Sequence, residues 1–138
     1  MNIQDKQKKI IGEFSTLEDW NDAYDHIIKI GKSLPAYPEK YKTEEYLIKG
    51  CQSKVWLKAD YNEGKVTFIA DSDTAIIKGI IALLIDVTSS HTPEEIIEAD
   101  NNFMQEIGLK DFLAPTRSNG LVAMINQIKN YASELRVN

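Results

Sequence analysis

The hydrophobic positions at the start of the chain recur every three or four residues and predict two helices. The first is short and can be capped by Asp5, and its apolar side consists of Ile10, Ile11 and Phe14. The second begins at a capping box formed by Ser15 and Glu18 and ends near Gly31, a residue suited to a helix C-terminus. Its apolar stripe is Trp20, Ala23, Tyr24, Ile27, Ile28 and Ile30. The two prolines in residues 34–38 predict irregular chain after it.

The middle of the chain has the composition and alternation of β-strands. Aromatic and β-branched residues predict three antiparallel strands, at residues 46–48, 55–57 and 65–70. A turn at residues 60–64 separates the second strand from the third. The connection between the first two strands is short and polar and contains Gly50, so it predicts a hairpin that carries Cys51 on a tight loop.

The second half of the chain shows three further helix starts. Residues 71–74 offer side chains that can cap a long, heavily buried helix with apolar positions Ile76, Ile77, Ile80, Ile81, Leu83, Leu84 and Val87. Thr92, Pro93 and Glu95 form a capping box with proline at the first helical position. Residues 116–120 open a terminal helix. The order of elements predicts an α+β fold, with a small three-stranded antiparallel sheet and helices packed on one face.

Composition narrows the class of protein. The chain has 138 residues, 43% of them hydrophobic, and no linker-like segment, so we expect a single domain over residues 1–138. Its net charge of -5 argues against nucleic-acid or anionic-membrane partners. The pattern of apolar and charged residues predicts neither a membrane span nor a secretion signal. One cysteine cannot form an internal disulfide, which favours a reducing compartment, the cytoplasm.

Cys51 is the first candidate for chemistry. Gly50 can adopt positive φ just before it and so direct the thiol where another residue could not. The structural alternative is a small buried hydrophobe, the commonest role of an isolated cysteine. A cysteine hydrolase would need a base from His26 or His91, yet both are predicted to be surface or partly packed residues. One cysteine and two separated histidines match no zinc-site spacing, so no metal is predicted.

Arg117 is the second candidate, because it adds positive charge at a helix start, where backbone N–H groups already favour an anion. The alternative is a solvated surface arginine. A reactive thiolate needs nearby positive charge, which Lys49, Lys54 and Arg117 could supply. Asp71 and Asp73 resemble an acidic pair, but helix capping explains them more simply.

Three motifs together closely resemble the SufE family, the sulfur acceptors of iron-sulfur cluster biogenesis. They are Ile48-Lys49-Gly50-Cys51-Gln52-Ser53-Lys54-Val55-Trp56, Asp71-Ser72-Asp73-Thr74-Ala75-Ile76-Ile77-Lys78-Gly79, and Pro115-Thr116-Arg117-Ser118-Asn119-Gly120-Leu121 with Ala123-Met124. Their order and spacing are more specific than any one motif, and the resemblance runs nearly end to end. Thr116, where a serine is usual, is a minor departure.

The resemblance implies a fold like that of the U-type cluster scaffolds and a specific activity. Cys51 would accept persulfide sulfur from a SufS-type cysteine desulfurase, stimulate that enzyme, and pass the sulfur to a SufBCD-type scaffold. Gly50, Gln52, Asp73 and Arg117 would bind the partner or support the thiolate. The chain would hold no cofactor, since PLP belongs to the desulfurase. It would be a monomer or a weak homodimer. It would transfer sulfur together with the desulfurase and would not be a stand-alone enzyme.

Two alternatives stay open. The chain could activate a desulfurase allosterically without carrying sulfur, or serve another desulfurase such as CsdA. For a carrier, we expect Cys51 to be sheltered in the free protein and to move outward in the complex, with Arg117 and Asp73 near the partner-facing edge. The single cysteine argues against a scaffold role, because a cluster needs several ligands.

Overall fold

Two antiparallel strands and the helices around them make up the described part of the chain. The computed structural model describes residues 2–17, 19–51, 53–100, 103–107 and 115–136, and of Trp20, Gln105, Glu106 and residues 115–119 it describes the backbone only. Within these ranges there are six α-helices, two short 3-10 helices and two strands.

Helix α1 spans Ile3–Ser15 and begins one turn earlier than its predicted cap. Asn2 is the N-cap, because its side-chain oxygen accepts the backbone N–H of Asp5 at 2.7 Å. Asp5 therefore lies within the first turn, where a carboxylate still interacts favourably with the helix dipole. The buried side of α1 consists of Ile3, Ile10 and Phe14.

Helix α2 spans Trp20–Lys32 and is capped by Asp19, whose carboxylate accepts the backbone N–H of Asp22 at 3.0 Å. The predicted capping box at Ser15 and Glu18 is wrong. Ser15 is the last residue of α1, and its hydroxyl donates to the Gly12 carbonyl at 2.7 Å. Glu18 lies outside the described residues. Asp19 serves as the cap because it directly precedes the first helical residue.

The central hairpin consists of β1, Val55–Asn62, and β2, Lys65–Ser72. The strands pair along their whole length, from Val55 opposite Ser72 to Asn62 opposite Lys65. Glu63 and Gly64 form the turn with φ of 53° and 82°, the two left-handed residues that a type I′ turn requires. The alternation predicted for β2 is confirmed, since Val66, Phe68 and Ala70 are all buried.

The first of the three predicted strands, at residues 46–48, is wrong, because these described residues form no strand. Glu44–Tyr46 is a 3-10 helix, so the segment enters the sheet only at Leu47, which forms an isolated bridge with Trp56. The Ile48 N–H then donates to the Val55 carbonyl at 2.8 Å. Lys49 and Gly50 turn the chain away directly afterwards. Two extended residues between a helical turn and a tight turn are too few to form a ladder.

Helix α3, Ala75–Thr88, packs on β2 and on α2, and its predicted burial is confirmed. The buried positions occur all around it rather than on one stripe: Ile76, Ile77, Gly79, Ile80, Ile81, Ala82, Leu83, Leu84, Ile85, Val87 and Thr88. A helix that is apolar on every side has to be surrounded by other elements. It is therefore the centre of the hydrophobic core.

Two glycines allow α2 and α3 to approach closely. A β-carbon on Gly79 would lie 2.1 Å from the Ile27 carbonyl oxygen, and one on Gly31 would lie 2.7 Å from the Gly79 nitrogen. Both distances are far below van der Waals contact, so neither position accepts a side chain unless the helices separate. Gly31 thus lies inside the helix contact, and α2 ends one residue after it, close to the predicted end.

The remaining helices are α4, Pro93–Glu98, α5, Phe103–Glu106, and α6, Pro115–Arg136. The capping box predicted for α4 is confirmed, with Thr92 and Glu95 bonding reciprocally. Helix α6 packs along α4 and reaches β1, where the Tyr131 hydroxyl donates to the Leu57 carbonyl at 3.0 Å. No helix in the described ranges combines the length and apolar content that crossing a membrane requires.

Candidate functional site

Cys51 lies on a tight loop that rests against the beginning of α6. Gly50 has φ of 95°, as predicted, and turns the chain just before the thiol. The Cys51 side chain is partly buried, and its Sγ lies 3.6 Å from the Gly120 carbonyl, a distance at which a thiol donates a weak hydrogen bond. Gly50 faces Ala123, one turn further along α6. The loop and the helix therefore meet through small residues.

The surroundings of Cys51 favour the neutral thiol. Burial raises the pKa of the Cys51 thiol above its ordinary value, because water stabilises the thiolate less well there. The Gly120 carbonyl oxygen can accept a hydrogen bond from the thiol, but it cannot donate one to a thiolate. Lys49 and Lys54, predicted to supply positive charge, are exposed. The side chain of Arg117 lies outside the described residues. In this conformation Cys51 is thus a weak nucleophile.

The chain that follows Cys51 is fastened to the junction between β2 and α3. The Asp73 carboxylate accepts the Lys54 N–H at 3.0 Å, and the Asp73 N–H donates to the Lys54 carbonyl at 3.2 Å. That carbonyl also accepts the Ser72 hydroxyl at 2.8 Å. The Thr74 hydroxyl donates to the Ser53 hydroxyl at 2.8 Å. We call Ser72, Asp73 and Thr74 the loop clamp.

The loop clamp corrects the interpretation of residues 71–74 as helix caps. Thr74 occupies the N-cap position of α3, but no side chain there bonds the helix N–H groups. Asp73 instead bonds the Lys54 backbone, and its carboxylate also accepts the Thr74 hydroxyl at 3.1 Å. The sequence does not reveal this hydrogen bond, because the carboxylate and the backbone N–H are 19 residues apart. The motif that looked like a helix start therefore positions the cysteine loop.

Replacing Asp73 by alanine is expected to make Cys51 more reactive while leaving the fold intact. Loss of the carboxylate leaves the Lys54 N–H without this acceptor, and an exposed hydrogen bond worth about 1 kcal/mol shifts the loop toward open forms roughly fivefold. The rate of alkylation by a small iodoacetamide reagent should rise accordingly at neutral pH. Its pH profile, displaced to high pH in the wild type by the raised thiol pKa, should shift toward lower pH.

The matched control for that experiment is Asp60→Ala. Asp60 is also an exposed aspartate, and it bonds Lys58 on β1 rather than the cysteine loop. Its loss should leave the alkylation rate of Cys51 at the wild-type value. Equal rates for Asp73→Ala and Asp60→Ala would mean that the loop clamp does not hold the loop closed.

Asp71 belongs to a separate charged cluster on the hairpin. Its carboxylate pairs with Lys42 at 3.0 Å and Lys78 at 3.3 Å, and Lys42 also lies 5.4 Å from the centre of the Trp56 ring. Burial opposes ionisation, yet hydrogen bonds from Lys42, the Ser72 backbone and Lys78 together lower the pKa of Asp71 below its ordinary value. Asp71 and Asp73 thus have different partners and do not form an acidic pair.

The contacts that the structure describes for the two histidines do not involve Cys51. His26 is partly buried, edge-on to the Phe14 ring, with 5.1 Å between centroids, and its Nε2 lies 3.8 Å from the Glu13 carboxylate. His91 is buried, contrary to the prediction, because its backbone bridges to Val66 at the edge of β2. Its Nδ1 lies 2.9 Å from the Ser89 carbonyl. Neither arrangement gives a base oriented toward Cys51.

The structure brings together some of the predicted site residues. Gly50, Cys51 and Asp73 lie in one region, joined through the loop that the clamp holds. The backbone of Arg117 lies in α6, three residues before Gly120. Gln52 lies outside the described residues. No group of three or more His, Cys, Asp or Glu side chains among the described residues could hold a metal ion.

Sequence reasoning missed four residues that shape the site. Ser72 and Thr74 bond the cysteine loop, and Gly120 and Ala123 form the surface on which it rests. The last two are small residues three positions apart in a helix, which signals a close contact on that side. The sequence does not show which segment they contact, because 69 positions separate Cys51 from Gly120.

Fold and site together define a class: a small α+β domain that presents a partly buried cysteine on a clamped loop. A family model described as "SufE: Fe-S metabolism associated domain" matches residues 8–132. The chain is 36% identical over 129 residues to an uncharacterized SufE-like protein of Rhizobium meliloti (strain 1021), covering 90% of this chain and 92% of that protein. The chain therefore belongs to the SufE family, whose description places it in Fe-S metabolism.

A solved structure gives independent support for the fold. The solution structure of a hypothetical protein from Thermus thermophilus matches with a TM-score of 0.79, covering 96% of this chain and 97% of that one. At 21% identity the match concerns the fold alone. The α+β class and the antiparallel pairing of β1 and β2 are confirmed, while the strand predicted at residues 46–48 is not.

Proposed function

We propose that this protein is a sulfur acceptor and carrier in iron-sulfur cluster assembly. Cys51 takes sulfur from a persulfide on a SufS-type, PLP-dependent cysteine desulfurase and passes it to a SufBCD-type scaffold. The observation that carries the proposal is the placement of the only cysteine in a SufE-family chain: it lies on a positive-φ loop held by the loop clamp. A buried core cysteine would need neither feature.

The transfer requires little from the protein beyond a deprotonated, accessible sulfur. The Cys51 thiol loses its proton to solvent, and the thiolate attacks the terminal sulfur of the donor persulfide. The new bond joins Cys51 Sγ to that sulfur, while the donor's sulfur-sulfur bond breaks and its cysteine leaves as a thiolate. One persulfide is exchanged for another, so no external oxidant or reductant takes part. A single cysteine is therefore sufficient.

The resting conformation is unsuited to this attack, so the desulfurase has to change the conformation of the cysteine loop. Partial burial and the Gly120 carbonyl both favour the protonated thiol. Docking of the desulfurase has to draw the loop away from α6, which would expose the sulfur and return its pKa toward the ordinary value. The loop is bounded by the bond from Ile48 N–H to the Val55 carbonyl on one side and by the loop clamp on the other. These ends place the moving part between Ile48 and Lys54, and its opening also breaks the bond from Thr74 to Ser53.

Several residues receive roles by this proposal. Asp73 holds the loop closed and lies exposed, so a partner can reach it. Arg117 lies in the first turns of α6, where the helix dipole favours an anion, and would support the thiolate or the partner contact. Gln52 follows Cys51 directly and would contact the partner when the loop opens. An unpaired cysteine also suits the reducing cytoplasm, which we propose as the compartment.

The test is an intact-mass measurement after incubation with a SufS-type desulfurase and free cysteine. The wild type should gain the mass of one sulfur atom, and a thiol reductant should remove it. Cys51→Ser, treated in parallel, should gain nothing. A parallel incubation with a CsdA-type enzyme identifies the preferred donor. Absence of any reducible gain in the wild type with either enzyme would contradict the carrier function.

A further inference from the structure

Gly120 leaves a bare stretch of helix backbone beneath the Cys51 side chain. A β-carbon built on Gly120 would lie 3.5 Å from Sγ, 3.9 Å from the β-carbon and 4.0 Å from the α-carbon of Cys51. Those are its three nearest atoms, and all of them lie at ordinary van der Waals distance or beyond, so a methyl-sized space borders Cys51 at Gly120. Gly120 is buried at this contact. The cysteine therefore lies directly on the main chain of α6.

We propose that Gly120 is a specificity-determining residue, which allows the closed loop to hold Cys51 as a persulfide as well as a thiol. The inference rests on the proposed function, because it concerns the same sulfur. A second sulfur lies about 2.0 Å from Sγ and must occupy volume that adjoins it. The nearest surface of α6 carries no side chain at Gly120, so part of that volume is open.

A methyl group at position 120 would distinguish the two forms of Cys51. The thiol tolerates it, since 3.5 Å is an ordinary van der Waals distance. Alanine is also a better helix former than glycine, so α6 should gain rather than lose stability. The second sulfur, however, would compete with the methyl group for the same space. The closed loop would then accept the thiol and reject the persulfide.

Gly50 does not share this property, although it belongs to the same contact. Its β-carbon would lie 3.3 Å from the Ala123 methyl group, which is already tight. Its φ of 95° also disfavours any other residue. A substitution at Gly50 would therefore disturb the loop for the thiol and the persulfide alike. Gly120 is the position at which the two forms can be separated.

The experiment loads Cys51 without a desulfurase. A low-molecular-weight persulfide donates its terminal sulfur to the Cys51 thiolate: the sulfur-sulfur bond of the donor breaks, the new bond forms at Sγ, and the donor leaves as a thiolate. Two rates are then measured for wild type and Gly120→Ala. One is alkylation of the unloaded thiol by iodoacetamide, and the other is removal of the loaded sulfur by an external thiol.

We expect Gly120→Ala to alkylate within about twofold of the wild type, because the thiol still fits. Its loaded sulfur should be removed about tenfold faster, because the methyl group occupies space that the second sulfur needs and the overpacked closed loop is destabilised. Gly12→Ala is the matched control, since it adds the same methyl group to a helical glycine with no atom within 4 Å. It should match the wild type in both rates.

Two results would overturn the role of Gly120. Equal removal rates in wild type and Gly120→Ala would mean that the second sulfur does not use this space. A rise in thiol alkylation as large as the rise in sulfur removal would mean that the substitution opens or unfolds the loop in both forms. Either result is independent of the desulfurase experiment, in which failure of the wild type to gain sulfur contradicts the carrier function instead.

Discussion

Cys51→Ser is expected to abolish stimulation of the desulfurase completely while preserving the fold and partner binding. Serine is nearly isosteric with cysteine, and its hydroxyl can donate to the Gly120 carbonyl, which the thiol approaches at 3.6 Å. A hydroxyl cannot accept and hold the terminal sulfur, so each desulfurase molecule keeps its persulfide and turns over at its own basal rate. Steady-state sulfide or alanine production with and without the variant measures this.

The same variant separates the carrier from the allosteric activator. An activator acts by contacts with the desulfurase, and these contacts do not require the sulfur atom. Stimulation of turnover by Cys51→Ser equal to that by the wild type would therefore exclude the carrier role and establish the activator. A binding titration with the desulfurase is the necessary control, because a variant that no longer binds would lose stimulation under either mechanism.

Gly79→Ala is expected to destabilise the protein by about 3 kcal/mol or more. The new methyl carbon would lie 2.1 Å from the Ile27 carbonyl oxygen and 2.5 Å from the Ile27 side chain. These contacts involve the backbone of α2, so no rotamer change relieves them and the helices have to separate. Since α3 is the centre of the core, the separation also loosens its contacts with β2. The midpoint of thermal unfolding should fall by roughly 10 °C.

Gly12→Ala is the matched control for this substitution too. Gly12 is an exposed residue within α1, and a β-carbon there would have no neighbour within 4 Å. Alanine at this site should stabilise the helix by about 0.5–1 kcal/mol, because glycine loses more backbone entropy on folding. Urea unfolding of both variants gives the comparison. If Gly79→Ala were as stable as Gly12→Ala, α2 and α3 could not be in contact at Gly79 and Ile27.

Local patterns were most informative where the residues themselves force the backbone. The apolar content of residues 76–87 predicted a buried helix, and α3 is buried on every side. Thr92 and Glu95 formed their predicted capping box, since both partners lie within one turn. The turn at Glu63 and Gly64 also lies where the pattern placed it. In each case the interacting groups are a few residues apart.

Predictions failed where several local solutions were nearly equal. Ser15 and Asp19 can both cap a helix, and Asp5 and Asn2 can as well, so the final choice depended on where packing starts each helix. Residues 46–48 have strand-forming side chains, but the adjoining helical turn and the Lys49–Gly50 turn leave room for one bridge only. β-propensity reflects fit to a neighbouring strand, which sequence does not supply.

The sequence by itself determined that the chain has one thiol, that a glycine able to adopt positive φ precedes it, and that the fold combines helices with a small antiparallel sheet. Only the tertiary structure decided what those groups contact. The Cys51 thiol meets Gly120 across 69 residues, and Asp73 reaches Lys54 across 19. Backbone conformation follows from neighbours along the chain, whereas the burial and hydrogen bonding of a side chain depend on which distant segment packs against it.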